Sequence, residues 1–381
     1  MEVAAPYIEL GLRLGRHIDG LVDAYYGPPE LAEQVEAEEL QAPAKLATQA
    51  AKLREASENG WLHAQLVGLE TVARRLAGEE IAFEDEVERC YGVRPQRTSE
   101  DVFEAAHREL DELLPGTAPL AERYQAWREG NVVPADRLAG FMDGLVTDLR
   151  ARTEAFAGLP RDESIELEYV TGEPWAAYNY YLGGLRSRIA INTDVAMTPD
   201  FAAELAAHEA YPGHHTEQVT KEQTLVRDQG RLEQSILLIG TPQALISEGI
   251  AVLGSEIMLG EDEERLTAQH VAPLDVEYDP EHSKLVKKAR APLEHLVGTN
   301  AALLLHAEGA SVDEARGYLM RWSLSSERRA AQQISFISDP TWRAYVSTYA
   351  DGYRVCRSFV DGDPKRFKRL LTEQLTPADL L

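Results

Sequence analysis

The chain has 381 residues, 64 acidic against 38 basic, and a formal charge of −26 at pH 7, which argues against nucleic acid because no Lys/Arg-rich stretch is long enough to reverse that field. With 44% hydrophobic and 27% charged residues the composition is that of a globular protein large enough to bury a sizeable core. The longest uncharged apolar run, Ser235 to Ser247, contains Gly240 and Pro242 and is too short to span a membrane, while Cys90 and Cys356 are too few for a disulfide framework.

The first twenty residues carry Glu2, Glu9, Arg13, Arg16 and Asp19 in place of a basic start and an apolar run, so a cytoplasmic protein is expected. Tyr7, Leu10, Leu14, Ile18, Leu21 and Tyr25 recur every three or four positions and predict one amphipathic helix, stopped by Gly27-Pro28-Pro29. Trp61 to Leu76 repeats the pattern, Thr98 with Asp101 reads as a capping box opening a helix to Leu114, and Pro134 opens another with Leu138, Phe141, Met142, Leu145 and Leu149 on one face. The period then changes. Ile165 to Val170 and Ser187 to Asn192 alternate as strands do, with an aromatic run from Trp175 to Tyr181 and a Gly183-Gly184 turn between them, so a small antiparallel sheet is expected. Helices return with Thr198 as N-cap and Pro199 in the first turn, and continue through Thr241–Leu259, Ala291–Leu304, Val312–Trp322 and Pro340–Phe359. Gly260 to Lys288 reads as a surface excursion.

Three of the ten histidines fall within eight residues, at His208, His214 and His215. Neutral imidazoles bind zinc through one ring nitrogen, and the neighbouring Glu209 is placed to serve as a general base. In an HExxH helix the two histidines lie four residues apart on one face, but here the fourth position after His208 is Pro212. At about 100° per residue His215 lies about 20° from His208 and His214 about 120°, yet Pro212-Gly213 makes a straight helix improbable, so spacing leaves both open as second ligand. A third ligand is expected from Ser247-Glu248-Gly249-Ile250-Ala251, because Glu248 stands among apolar neighbours and a buried carboxylate must be paired or bound to metal. Gly249, Ala251 and Gly254 would let that helix approach another closely.

The string His208 to His215, followed by Ser247 to Ala251, resembles the HExxPGHH and EGWA motifs of the bacterial family filed as domain of unknown function 885. That family in turn resembles the gluzincin metallopeptidases of the carboxypeptidase Taq and angiotensin-converting enzyme groups. The resemblance implies a mainly α, two-lobed helical fold with a small antiparallel sheet beside the active helix, residues 1–158 forming an N-terminal helical lobe and residues 159–381 a catalytic lobe within one continuous unit. It implies His208, His214 and Glu248 as Zn2+ ligands, preferring His214 over His215, and Glu209 as the base. Leu305-His306 and Tyr349-Ala350-Asp351-Gly352 resemble later family elements, which makes His306 and Tyr349 candidate donors to an oxyanion. The strand Ser187 to Asn192 resembles the edge strand on which zincins lay extended substrates. Ile250, Leu253 and Pro340-Thr341-Trp342-Arg343 depart from the family pattern and leave the substrate open.

The expected function is therefore zinc-dependent hydrolysis of short peptides, with no nucleic acid or membrane partner. Hydrolysis of other amides or esters, or a non-catalytic descendant that binds peptides or a partner, are the alternatives. Metal content and a Glu209 variant separate them.

Overall fold

Apolar residues three and four apart become helices along most of the chain, and the computed structural model, which describes residues 3–381 apart from 59, 275 and 277, is mainly α with two small sheets. Met1 and Glu2, at the start of the expected N-terminal lobe, lie outside the described residues. Helices Gly60–Leu76 and Val312–Trp322 form where the periodicity puts them, burying Leu66 and Leu69 in one and Leu319 and Trp322 in the other. No helix among the described residues is long and apolar enough to cross a membrane.

Several elements differ from the sequence reading for local reasons. The Tyr7 to Tyr25 segment is a helix only over Ala4–Gly15; the amides of His17 and Ile18 both fold back onto the Leu14 carbonyl, and Gly20 takes φ +80°, which a helix cannot contain. The cap before Asp101 is Ser99, whose hydroxyl accepts from the Asp101 amide, rather than Thr98. The Ala291 to Leu304 pattern is divided at His295 between helices Pro280–Glu294 and Leu296–His306. Turns occupy residues 340–346, so the late helix is Ser347–Val360. The expected excursion from Gly260 carries helix Glu263–Val271, with Leu266 and Val271 buried; residues 275 and 277 within it lie outside the described residues.

Five strands occur among the described residues: β1 (Val22–Tyr25), β2 (Ser164–Val170), β3 (Ala177–Tyr181), β4 (Arg186–Asn192) and β5 (Ile236–Leu238). β4 is central, parallel to β2 and antiparallel to β3, so the expected antiparallel sheet is mixed. The strand Ser187 to Asn192 is consequently paired on both sides and cannot be the open edge on which a substrate is laid; β2 and β3 are the edge strands. β1 pairs antiparallel with β5, Val22 opposite Leu238 and Tyr25 opposite Ile236.

Among the described residues a small hydrophobic cluster gathers around Ala24, Tyr181 and Leu237, and two larger ones make up most of the core; all three draw residues from either side of position 158. The larger runs from Tyr7 to Leu380, joining Leu10, Leu66, Phe103, Leu245, Val355 and Phe367. The smaller packs the helix Ala135–Phe156 through Phe141, Leu145 and Leu149 against Ile189 and Ile191 of β4 and the alanines of the helix Pro199–Glu209. β5 leads through Thr241 into the helix Pro242–Leu259, which is buried on nearly every side. That burial needs close approach. A Cβ on Gly249 would lie 2.4 Å from the Gly352 carbonyl oxygen, and one on Gly352 would lie 2.3 Å from the Leu245 carbonyl oxygen, so two glycines let helices Pro242–Leu259 and Ser347–Val360 cross backbone to backbone.

Candidate metal centre and cavity

The histidine string does not make one helix. Helix Pro199–Glu209 carries His208 in its last turn and ends at Ala210, and a new helix, His214–Lys221, begins after Gly213. Gly213 folds tightly beneath the first helix, its amide donating to the Ala207 carbonyl at 2.9 Å. A Cβ at that position would lie 1.8 Å from the His208 carbonyl oxygen, so only glycine fits. The break resets the helical phase and brings His214 back to His208, with the two rings 4.7 Å apart at 89°.

His208, His214 and Glu248 are brought together; one ligand atom from each lies within 4.8 Å of the other two. The Nε2 of His208 is 3.5 Å from Glu248 Oε2, and the Nε2 of His214 is 3.5 Å from Oε1. Ligand atoms roughly 2.0–2.2 Å from a tetrahedral zinc stand about 3.4 Å apart, so the spacing fits. The chemistry of Glu248 fits as well. Its side chain is buried, Tyr345 donates to Oε1 at 2.5 Å, and Oε2 has no hydrogen-bond partner. A buried carboxylate oxygen without a donor is costly and is the atom a cation would satisfy. Burial pushes the Glu248 carboxyl up, but the two imidazoles outweigh it and hold the group well below the usual carboxylate range. Burial likewise pushes His214 down, and Glu248 reverses this, raising the imidazole to about 10: the cluster favours positive charge.

His214 is oriented from behind. The Ser247 hydroxyl donates to Glu217 Oε2 at 2.5 Å, so its oxygen accepts from His214 Nδ1 at 3.2 Å; this assigns the proton to Nδ1 and frees Nε2 for a metal. Lys221 completes the chain by donating to Glu217 Oε1 at 2.6 Å. His215 faces away, fully buried, with Nε2 2.8 Å from Glu163 Oε2 and Nδ1 2.8 Å from the Ser187 hydroxyl. Tyr211 and Arg150 hold the same Glu163, so His215 braces the helix against β4.

These groups open onto a cavity of about 630 Å³. Glu209 lines it beside His208, His214 and Glu248, and the Asn179 side chain on β3 donates to the Glu209 backbone carbonyl at 2.7 Å. Tyr349 and Tyr345 line it too, their rings 5.8 Å apart, with burial and then the Glu248 charge raising both phenols well above their ordinary value. His306 does not reach it. Its Nε2 meets the Ile337 carbonyl at 2.6 Å and its ring stacks on Phe83 at 5.1 Å, so the expected donor is a packing histidine at a helix end. His295 lies nearer, stacked on Tyr349 at 5.4 Å, and burial followed by the charge of His208 lowers it to about 4.

Sequence reasoning missed Asp23, Tyr345 and Glu217. Asp23 lines the cavity from β1, accepts a hydrogen bond from Tyr178, and is pushed by burial up to about 6. Its signal was hidden because the segment fitted a helical period. Glu217 and Lys221, four residues apart in the His214–Lys221 helix, were readable as an ion pair but not as a buried one.

No protein-family model matches the chain, and no curated protein does. Among solved structures the fold is similar to that of a protein described as a candidate lipoprotein from Colwellia psychrerythraea, 17% identical with a TM-score of 0.58, over 92% of this chain and 61% of that one. It is also similar to one described as a candidate lipoprotein of unknown function from Shewanella oneidensis, 14% identical with a TM-score of 0.53, over 93% of this chain and 69% of that one. The chain thus spans less than two thirds of the length of the first of these proteins, and at such identities the likeness concerns the fold alone.

Proposed function

We propose that the protein is a zinc-dependent metallopeptidase acting on short peptides. The observation that carries the reading is the buried, unpartnered Oε2 of Glu248 set 3.5 Å from His208, with His214 alongside, in a cavity whose wall also bears Glu209. His208, His214 and Glu248 would hold the ion. When bound, zinc supplies Lewis-acid polarisation of a substrate carbonyl and a water acidified towards neutral pH.

The chain's own groups do the rest. Glu209 takes the proton from the attacking water and passes it to the leaving nitrogen. Tyr349, on the cavity wall, donates to the oxygen on which negative charge develops, and Tyr345 holds Glu248 in place through its hydrogen bond to Oε1. A cavity of about 630 Å³ admits a few residues of peptide and no folded protein.

The test is elemental analysis of protein reconstituted with zinc, beside His208→Ala, Glu248→Ala and Glu209→Gln. The expected result is about one zinc per chain, absent in the first two variants and kept in the third, with peptide cleavage falling by at least about 100-fold in Glu209→Gln. Protein that takes up no zinc, or a Glu209→Gln variant that cleaves as fast as the parent, overturns the proposal.

A further inference from the structure

Apart from the three ligand side chains and Glu209, the charged residues lining the cavity are Asp19, Asp23 and Asp339, and no lysine or arginine lines it among the described residues. Aromatic rings, including those of Trp175 and Trp342, share the wall with them. Carboxylates and aromatic faces both attract cations, whereas a free substrate carboxylate entering this lining would find no lysine or arginine to pair with.

Two acceptors are fixed in position. Asp23 sits on β1, anchored to β5 by strand pairing, and accepts from the Tyr178 hydroxyl of the neighbouring β3. Asn179, 8% exposed, lines the same cavity; its amide nitrogen is committed to the Glu209 carbonyl, and its Oδ1 is buried with no hydrogen-bond partner. An unpartnered buried acceptor on a residue that lines an acidic cavity suits a ligand rich in N–H donors. A primary ammonium offers three.

We propose that the cavity selects peptides carrying a protonated primary amine, with Asp23 as the charge partner and Asn179 Oδ1 as a further acceptor. This rests on the peptidase reading for the nature of the substrate. The amine has two possible sources, a free α-amino terminus or a lysine side chain, and the lining treats both alike.

The experiment uses zinc-loaded Glu209→Gln protein, in which peptides bind without turnover, and calorimetric titration with four probes. These are alanyl-phenylalanine amide, its N-acetyl form, N-acetyl-lysyl-phenylalanine amide, and N-acetyl-alanyl-phenylalanine with a free carboxylate. At least one ammonium probe should bind about tenfold tighter or more than the neutral N-acetyl amide, and the carboxylate probe should gain nothing. Which ammonium probe gains names the source. Adding Asp23→Asn should bring the ratio close to one with zinc content and neutral-probe affinity unchanged, which separates pairing with Asp23 from direct coordination of an amine by zinc. If the added Asp23→Asn change prevents folding, Tyr178→Phe, which frees the carboxylate from its hydrogen bond, should still shift the ratio.

Ammonium probes that bind no tighter than the neutral one, or do not bind, overturn the inference. So does a ratio unmoved by Asp23→Asn. Failure of the peptidase reading looks different: wild-type protein then cleaves none of the probes even while the Glu209→Gln protein prefers ammonium. Conversely, cleavage of charged and neutral probes at equal rates and affinities keeps the peptidase and removes the selectivity.

Discussion

At Asp23, burial drives the carboxyl towards its neutral form, while the Tyr178 hydroxyl and the His214 charge favour the anion; the balance settles at about 6. Glu248 and Glu209 add to the upward push, so the groups facing Asp23 come from β3 and from all three helices of the metal centre. The sign for binding follows directly. Above about 6 Asp23 is charged and pairs with an ammonium; as pH falls through that value the charge is lost. The dissociation constant of an ammonium peptide should therefore rise on acidification across that window, while the neutral N-acetyl probe stays flat over the same range. In Asp23→Asn the two profiles should run parallel, and a wild-type ammonium profile no steeper than the neutral one sinks the assignment. Residues of this kind mark what was legible. His208, Glu209, His214 and Glu248 stood out because histidines clustered and a carboxylate sat in an apolar helix, both local signals. The choice between His214 and His215 depended on how the chain breaks over residues 210–213, which spacing does not encode. Asp23 reaches the cavity only through a strand pairing with residues more than two hundred positions away, and His306 had the right residue type in the wrong place.

Glycines decide how the elements meet. Gly249 and Gly352 face each other where the helix bearing Glu248 crosses the helix that follows Tyr345, and the nearest obstructing atom at each is a backbone carbonyl oxygen, which cannot swing aside. Gly249→Ala should lower the unfolding free energy by about 3 kcal/mol or more in urea denaturation, and Gly352→Ala by a similar amount. Gly317, exposed within the helix Val312–Trp322, has nothing within 4 Å of its Cβ position, so Gly317→Ala should stabilise by roughly 0.5–1 kcal/mol. Equal effects at all three positions would refute the close crossing as the cause. The glycine of the Tyr349-to-Gly352 element thus serves packing, whatever its tyrosine contributes to the cavity. At this scale the sequence was readable where one period ran uninterrupted, as in Gly60–Leu76. It misled where a strand of four residues fitted a helical period by chance, as at Val22–Tyr25, because apolar residues three and four apart satisfy both patterns over so short a span. The parallel pairing of β2 with β4 was beyond it too, since alternation gives the faces of a strand and not its direction.

The three proposed metal ligands come from three helices, and those helices sit in different parts of the core. Helix Pro199–Glu209 packs its alanines into the smaller cluster, while Leu245, Ile246, Ile250 and Leu253 around Glu248 belong to the larger one, which also holds Tyr7, Leu10 and Leu14 from the start of the chain. β1 ties that start to β5, and β5 leads directly into the Glu248 helix. An ion held by His208, His214 and Glu248 would therefore link both clusters, and its binding free energy would be felt by the whole chain. At free zinc about 100 times the dissociation constant the folded state gains about 2.7 kcal/mol. Differential scanning calorimetry should show a single transition that moves up by a few degrees on zinc addition and back on chelation, with His208→Ala insensitive to both. Two transitions, only one of them responding to zinc, would instead mean that the helices before residue 158 melt independently of the centre. The shared cluster from Tyr7 to Leu380 argues for the single transition, because the helix that carries Glu248 also begins against an N-terminal helix, its Gln243 amide donating to Gln65 Oε1 at 3.1 Å.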